Sequence, residues 1–227
     1  MGDIFGMGLR SADRCIDRFL LAVDTSLDKD LSLELLPRTE MERTQLALEW
    51  NQRSGAGHIF YGMLGAIDGW LCTAERPHDV TNPSDYFSGH YQRFGYNCQA
   101  ICDANLRFLH FAVAGPGKVN DAQVFRKLMV LRKWLDELPP GFFIGGDNAY
   151  QLMNQLLIPF SGADARDIDN DAFNFFLSQL RIRIEMAFGR LTCKWRIFRA
   201  DLPSMNGGSK NSMIMRVGAR LHNYVIN

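Results

Sequence analysis

Three acidic residues lie where an uncompensated charge is costly. Asp68 interrupts the apolar run of residues 62–72, Asp147 follows an apolar strand-like stretch that ends in two glycines, and Glu185 lies in the helical stretch 181–189. An ionised carboxylate in such surroundings costs several kcal/mol unless a partner or a metal compensates it. Their order of strand, strand and helix therefore predicts a divalent-metal site.

Each of these acids also has a purely structural explanation. Asp68 and Asp147 neighbour glycines at the end of an apolar stretch, where an aspartate that forms a turn is common. Glu185 lies four residues after Arg181, so an exposed ion pair is its alternative. Taken together, the three acids favour the metal site. Oxygen ligands suit Mg²⁺ or Mn²⁺, and two ions about 3.5–4 Å apart would suit phosphodiester cleavage.

The elements that must position these acids follow from periodicity and turn residues. A helical segment at residues 1–54 precedes a boundary near residue 55, where the stretch 53–57 is rich in glycine and serine. The main domain, 55–227, begins with the Asp68 strand. The expected elements after it are a polar loop at 78–92, a hairpin of strands 96–103 and 107–114, a helix at 121–138, a strand at 142–146, an acidic, disordered-looking stretch at 164–171 and helices at 172–198 and 212–225. This order predicts an α/β fold with a mixed sheet flanked by helices.

The charge of the chain is balanced overall but unevenly distributed. Its 227 residues carry no formal net charge, yet residues 181–220 hold nine Lys and Arg against Glu185 and Asp201, a net charge of +7. On the long helix, Arg181, Arg183 and the following Arg196 are candidate phosphate or DNA contacts. The alternative is that a basic helix faces an acidic surface elsewhere in the molecule.

Other features of the sequence exclude several classes of protein. The sequence contains no run of about 18 uncharged apolar residues, so it predicts no membrane span. Its N-terminus lacks a basic region followed by an apolar stretch, so it does not predict secretion. The five cysteines lack disulfide or zinc-site spacing, which predicts reduced thiols and an intracellular protein.

The chain resembles the PIF/Harbinger transposases and the nucleases derived from them, a family of DDE endonucleases. The resemblance runs from about residue 55 to the C-terminus. It rests on Gly65-Ala-Ile-Asp-Gly69, Gly89-His-Tyr91, Gly95-Tyr-Asn97, Ala114-Gly-Pro-Gly117, Asn120-Asp-Ala122, Gly146-Asp-Asn-Ala-Tyr150, the stretch 178–189 and Leu221-His-Asn-Tyr224.

This resemblance implies an RNase H-like catalytic core in which Asp68, Asp147 and Glu185 are the catalytic and metal-binding residues. Asp121 matches a further acid of the family, an accessory candidate; an aspartate at a helix N-terminus is its structural alternative. The resemblance further implies DNA as the substrate, a separate DNA-binding partner protein and a nuclear location.

Two departures from the family pattern keep a second function open. Trp70 replaces a small polar residue beside the first aspartate, and the helix that begins at Leu9 resembles the second helix of a helix-turn-helix of which only the stub Asp3–Met7 of the first remains. The first hypothesis is a metal-dependent DNA endonuclease or transposase-derived nuclease. The second is a domesticated relative, catalytically weak or inactive, that binds DNA or protein. A metal-dependent phosphatase would also use the acids but would leave the basic region unexplained.

Overall fold

The computed structural model of the chain describes residues 6, 8–55, 57–78, 80–204 and 208–226. Six strands are β1 (Met63–Thr73), β2 (Phe87–Ser88), β3 (Arg93–Cys102), β4 (Phe108–Pro116), β5 (Phe143–Gly145) and β6 (Leu156–Leu157). The α-helices are α1 (Leu9–Asp24), α2 (Glu40–Arg53), α3 (Asp121–Lys127), α4 (Met129–Asp136), α5 (Ile168–Lys194) and α6 (Ser209–Ile226). Within the described residues, none of these helices has the length and apolar character of a membrane span.

The strands form one mixed sheet with β1 at its centre. On one side of β1, β3 and then β4 pair antiparallel; on the other side, β5 and then β6 pair parallel. The short β2 pairs with the beginning of β3. The predicted α/β class, with an RNase H-like mixed sheet between helices, is confirmed.

Helices cover the sheet on both faces and bury two apolar clusters. Leu177, Leu180 and Ile184 of α5 pack with Ala66 of β1 and Cys98 of β3 in the first cluster. The second cluster joins β1 and β5 to α2, α3 and α4. The capping box of α2, in which Thr39 and Glu42 each accept from the other's backbone N–H, fixes where that helix begins.

The helix α1 is tied to the C-terminal helix α6. Leu20 and Val23 of α1 are buried in the first cluster, while Lys210 of α6 pairs with Asp17 at 2.8 Å and Arg216 forms a bidentate pair with Asp24. The basic helix α6 therefore faces acidic residues elsewhere in the chain, which is the structural alternative for its charge. A boundary near residue 55 stays a prediction.

Three expectations from the sequence need correction. The helix expected at 121–138 is divided at Leu128, which has φ −80° and ψ 73° and lies between α3 and α4 without any proline or glycine. The acidic stretch 164–171 is ordered, because Asp167 accepts from the N–H groups of Asp169 and Asn170 and caps α5. The strands β2 and β6 were not predicted. Of the expected Asp3–Met7 stub, only Gly6 lies within the described residues.

Candidate active site

The pairing of two parallel strands places Asp68 and Asp147 side by side. Ala66 of β1 pairs with Gly145 of β5, and each aspartate follows its strand partner by two residues. Extending the register by those two residues puts the aspartates on neighbouring chains, which lie about 5 Å apart in a sheet. Their backbone amides fix them further: the Asp68 carboxylate accepts from the N–H of Gly69 at 2.8 Å, and that of Asp147 accepts from Ala149 at 3.0 Å.

The environment of Asp68 disfavours its negative charge. Burial, and to a smaller extent the charges of Asp147 and Asp121, raise the pKa of this carboxyl to about 6. The hydrogen bond from Gly69 and the positive charge of Arg181 act in the opposite direction. The fold therefore penalises the ionised form of Asp68 chiefly because it removes the carboxylate from water.

The helix α5 contributes Arg181 and Glu185 to the same region. Arg181 Nη1 lies 3.9 Å from Asp68 Oδ2, and Arg181 Nη2 lies 3.8 Å from Glu185 Oε1. The guanidinium thus lies between the strand acid and the helix acid. The Arg181–Glu185 ion pair predicted as the alternative is present. In the described part of the chain, no three Asp, Glu, His or Cys side chains are grouped closely enough to hold one metal ion.

Asp121 packs closely against Gly69, the residue that follows Asp68. A Cβ atom at Gly69 would lie only 2.1 Å from Asp121 Oδ1, so a side chain there would displace the carboxylate. That same oxygen accepts from the amides of Asn97 at 2.9 Å and Gln99 at 2.7 Å. Gln99, which is fully buried, also accepts from the hydroxyl of Tyr150. The network holds Asp121 in one orientation.

These acids line one open cavity of about 730 Å³. Asp68, Asp121, Asp147, Arg181 and Glu185 all border it. The structure therefore brings the predicted acids and Arg181 to one cavity, and the catalytic and metal-binding roles assigned to them stay predictions.

Sequence reasoning did not identify several other residues that line this cavity. The loop after β2 brings His90 and Tyr91 to it, and Lys118 lies on the segment that leads to α3. Burial and the three aspartates raise the pKa of the Tyr91 hydroxyl. The motif Gly89-His-Tyr91 was a signal for this loop, but a short motif does not show which wall it forms.

Trp70 also borders the cavity, and it has a packing role. Its ring stacks on Phe188 of α5, with centroids 5.7 Å apart, and meets the edge of Phe198 at 5.6 Å. The large side chain expected to crowd the site thus joins β1 to α5.

A family model described as "DDE superfamily endonuclease" matches residues 67–223, which include every acid of the cavity. The chain belongs to this family. It is also 29% identical over 148 residues to "Protein ALP1-like" of Arabidopsis thaliana, a match that covers 60% of this chain and 36% of that protein. The predicted resemblance to Harbinger transposase-derived nucleases is confirmed. No solved structure matches the chain.

DDE superfamily endonucleases generally use divalent metals, and the cavity supplies side chains of the type that bind such ions. Its acidic side chains are carboxylates, whose oxygens Mg²⁺ and Mn²⁺ prefer as ligands. Burial is the main cause of the raised pKa of Asp68, and the charges of Asp147 and Asp121 add to it, so a cation bound beside it would stabilise the ionised carboxylate.

Two of the predicted phosphate contacts lie outside the cavity of this DDE endonuclease. Arg183 is two residues from Glu185 and therefore about 160° away around α5. Arg196 follows the end of α5 in an exposed 3₁₀ turn. Neither borders the cavity, whereas Arg181 does.

Proposed function

We propose that this protein is a divalent-metal-dependent DNA endonuclease, derived from a transposase, that cleaves phosphodiester bonds by a two-metal mechanism. The observation that supports this most directly is the register of β1 and β5. Continued by two residues, it would put Asp147, just after β5, beside Asp68 in the middle of β1, and the helix α5 adds Glu185 at the same cavity.

Asp68, Asp147 and Glu185 would hold two Mg²⁺ or Mn²⁺ ions, and Asp121 would contribute to the same negative field. Bound there, the ions would lower the pKa of an attacking water and stabilise both the attacking and leaving oxygens. The buried position of Asp68 makes its charge available to a cation with little competition from water.

The cavity also offers cationic groups for a phosphate backbone. Nε and Nη1 of Arg181 are buried and have no hydrogen-bond partner among the described residues. A guanidinium with unused donors matches phosphate geometry. His90 and Lys118, which pairs with Asp85 at 3.7 Å, also border the cavity and would contact the neighbouring phosphates.

Nicking of supercoiled plasmid DNA tests this proposal. The purified protein should nick the plasmid with Mg²⁺ or Mn²⁺ and fail to do so in a chelator. Asp147→Asn should abolish nicking, whereas Asp136→Asn, which changes an exposed acid of α4 distant from the cavity, should not. Equal nicking by the Asp147→Asn protein and its parent would exclude this site as the catalyst.

A second function has one observation in its favour. Glu185 is 57% exposed and paired with Arg181, so its position is also that of an ordinary surface ion pair. A domesticated relative that binds DNA or protein without cleaving DNA would need Glu185 only for this ion pair. Calorimetric titration with Mn²⁺ separates the two functions, because salt-sensitive DNA binding without any metal affinity would favour the binding protein.

The partners and location belong to the proposal as well. DNA is the proposed substrate, a separate DNA-binding protein the proposed targeting partner and the nucleus the proposed location. The matched region spans only 36% of the length of the Arabidopsis relative, so the activity of a whole protein of that kind is part of this proposal.

A further inference from the structure

The helix α5 carries a second apolar stripe on the side that faces away from the sheet. Ile168, Phe175 and Ile182 lie seven residues apart, and Met186 follows one turn later. Their exposed fractions are 85%, 58%, 49% and 43%. A surface helix normally keeps one apolar face for the core and a polar face for water. The helix α5 already buries one apolar stripe in the core, and it exposes this second apolar stripe to solvent.

The spacing of the exposed stripe is that of a helix-pairing seam. A seven-residue repeat places side chains along one line of a helix, where a second helix can pack between them. Gly189 continues the repeat seven residues after Ile182. No atom lies within 4 Å of the position that a Cβ would take there, so the fold itself does not require a glycine. Glycine at this point permits the backbone of another helix to approach closely.

A strip of unpaired cations lies along one side of this seam. Arg183, Arg190 and Lys194 follow each other along α5, on the side away from Glu185. Among the described residues, none of the three has a carboxylate within ion-pair distance. Burial and the charge of nearby Arg53 lower the pKa of the Arg183 guanidinium.

The strip continues into a groove between α5 and the end of α6. Arg190 and Lys194 form one wall of this space of about 460 Å³, and Val225 and Ile226 provide apolar surface. Val225 is 46% exposed. An apolar side chain from a partner that packs along the seam would find an anchor in this groove, next to the cations.

We propose that the outer face of α5 binds an amphipathic helix of another protein, whose apolar stripe is flanked by acidic residues. The seam of Ile168, Phe175, Ile182 and Met186 would pack against the apolar stripe, and Arg183, Arg190 and Lys194 would pair with the acids. Helix-on-helix recognition of this kind uses apolar anchors at one-turn intervals and charged flanks for partner choice.

The charges disfavour an antiparallel second copy of this chain, and the existing contacts of Glu185 disfavour a parallel one. In an antiparallel pair of two α5 helices, the cationic strips would face each other. In a parallel pair, Arg190 would face the other copy's Glu185, which borders the catalytic cavity and is paired with Arg181. A nucleic-acid backbone would use the cations but would leave the phenylalanine, isoleucine and methionine side chains unburied.

The test uses two synthetic helical peptides with leucine at the seam positions. One carries glutamate at the flanking positions, which also keeps it from pairing with itself; the other carries lysine. Fluorescence anisotropy with the full chain should show that the glutamate peptide binds at least about tenfold more tightly than the lysine peptide. Absence of glutamate-peptide binding, or equal affinity for the two peptides, would overturn the proposal.

Matched variants locate the binding surface. Ile182→Ser combined with Met186→Ser, and Arg190→Glu combined with Lys194→Glu, should each weaken glutamate-peptide binding at least tenfold. Val130→Ser and Lys127→Glu, which change an exposed apolar residue of α4 and an exposed cation of α3, should not. Unchanged affinity in both seam variants would place the peptide elsewhere and contradict the proposal.

Footprinting of the parent protein keeps the test valid if a variant fails to fold. The glutamate peptide should protect Met186 from hydroxyl-radical oxidation and leave Met129, which is 69% exposed on α4, unprotected. If duplex DNA displaced the peptide, this face of α5 would instead be assigned to nucleic-acid binding. A dimer that the Ile182→Ser and Met186→Ser changes abolish would assign it to a second copy. None of these measurements depends on DNA cleavage, so the proposed endonuclease activity can be disproved while the proposed helix-binding surface is still supported.

Discussion

The strand acids and the helix acid of the cavity are positioned by different forces. Asp68 lies within the paired strand β1 and Asp147 two residues after β5, whereas Glu185 depends on the rotation of α5 and on its ion pair with Arg181. Asp68 is largely buried; Glu185 is mostly exposed to water. A site built in this way has a rigid half and an adjustable half.

The two halves also differ in their effect on the stability of the fold. Burial opposes the charge of Asp68, and the nearby aspartates add to that penalty. The exposed Glu185 carries no comparable penalty, because water solvates it. A charged group that lowers the stability of the fold is better explained by function than by stability.

The largest expected effect tests whether both halves are needed for cleavage. Asp68→Asn, Asp147→Asn and Glu185→Gln should each reduce the rate of plasmid nicking more than about 100-fold, because each would remove one of the proposed charged metal ligands rather than a supporting contact. Rates with Mg²⁺ and Mn²⁺ measure this. Normal nicking by the Glu185→Gln protein would reduce the helix acid to a surface ion pair and confine the site to the strands.

The next effect separates the halves by stability. Asp68→Asn should stabilise the protein by about 3 kcal/mol above pH 7, since about two pKa units correspond to this energy. The folded pKa of about 6 exceeds the unfolded value of 3.8, so the parent binds its proton more tightly when folded. The parent therefore loses stability as pH rises from about 4 to about 6. Urea unfolding across pH 4–8 measures the difference.

That difference should shrink as the pH falls through 6 and vanish only below the unfolded pKa of 3.8, where the parent carboxyl is protonated in both states. A constant gap between parent and Asp68→Asn at all pH values would mean that packing, and not ionisation, distinguishes the two proteins. The same experiment on Asp136→Asn, an exposed acid, supplies the baseline.

What the sequence predicted depended on how local the relevant interactions are. Asp68 and Asp147 were found because the apolar strand and the adjoining glycines are continuous in sequence. Asp121 was noted only through the family resemblance, since its amide partners Asn97 and Gln99 come from a different element. The charge of α6 was misleading for the same reason: its acidic partners, Asp17 and Asp24, lie almost at the other end of the chain.

Two glycines sharpen the contrast between the rigid and adjustable halves. Gly69→Ala should destabilise the protein by about 1–3 kcal/mol, because the added methyl group would collide with the Asp121 carboxylate that the amides hold. Gly189→Ala, in open space on α5, should stabilise it by about 1 kcal/mol through helix propensity. Urea midpoints of both variants measure this. Equal changes in the free energy of unfolding for the two variants would mean that the hydrogen-bond network around Asp121 accommodates the added methyl group without cost.

The smallest effect concerns the helix acid alone. Glu185→Gln should change the free energy of unfolding by no more than about 0.5 kcal/mol at pH 7, because an ion pair with one exposed partner is screened by water. Arg181 would keep its contact with Asp68 in that variant, so the guanidinium would not be left without a counter-charge. A loss above 2 kcal/mol in urea unfolding would show that Glu185 holds α5 against the sheet. The helix acid would then belong to the rigid half, and the distinction between the two halves would fail.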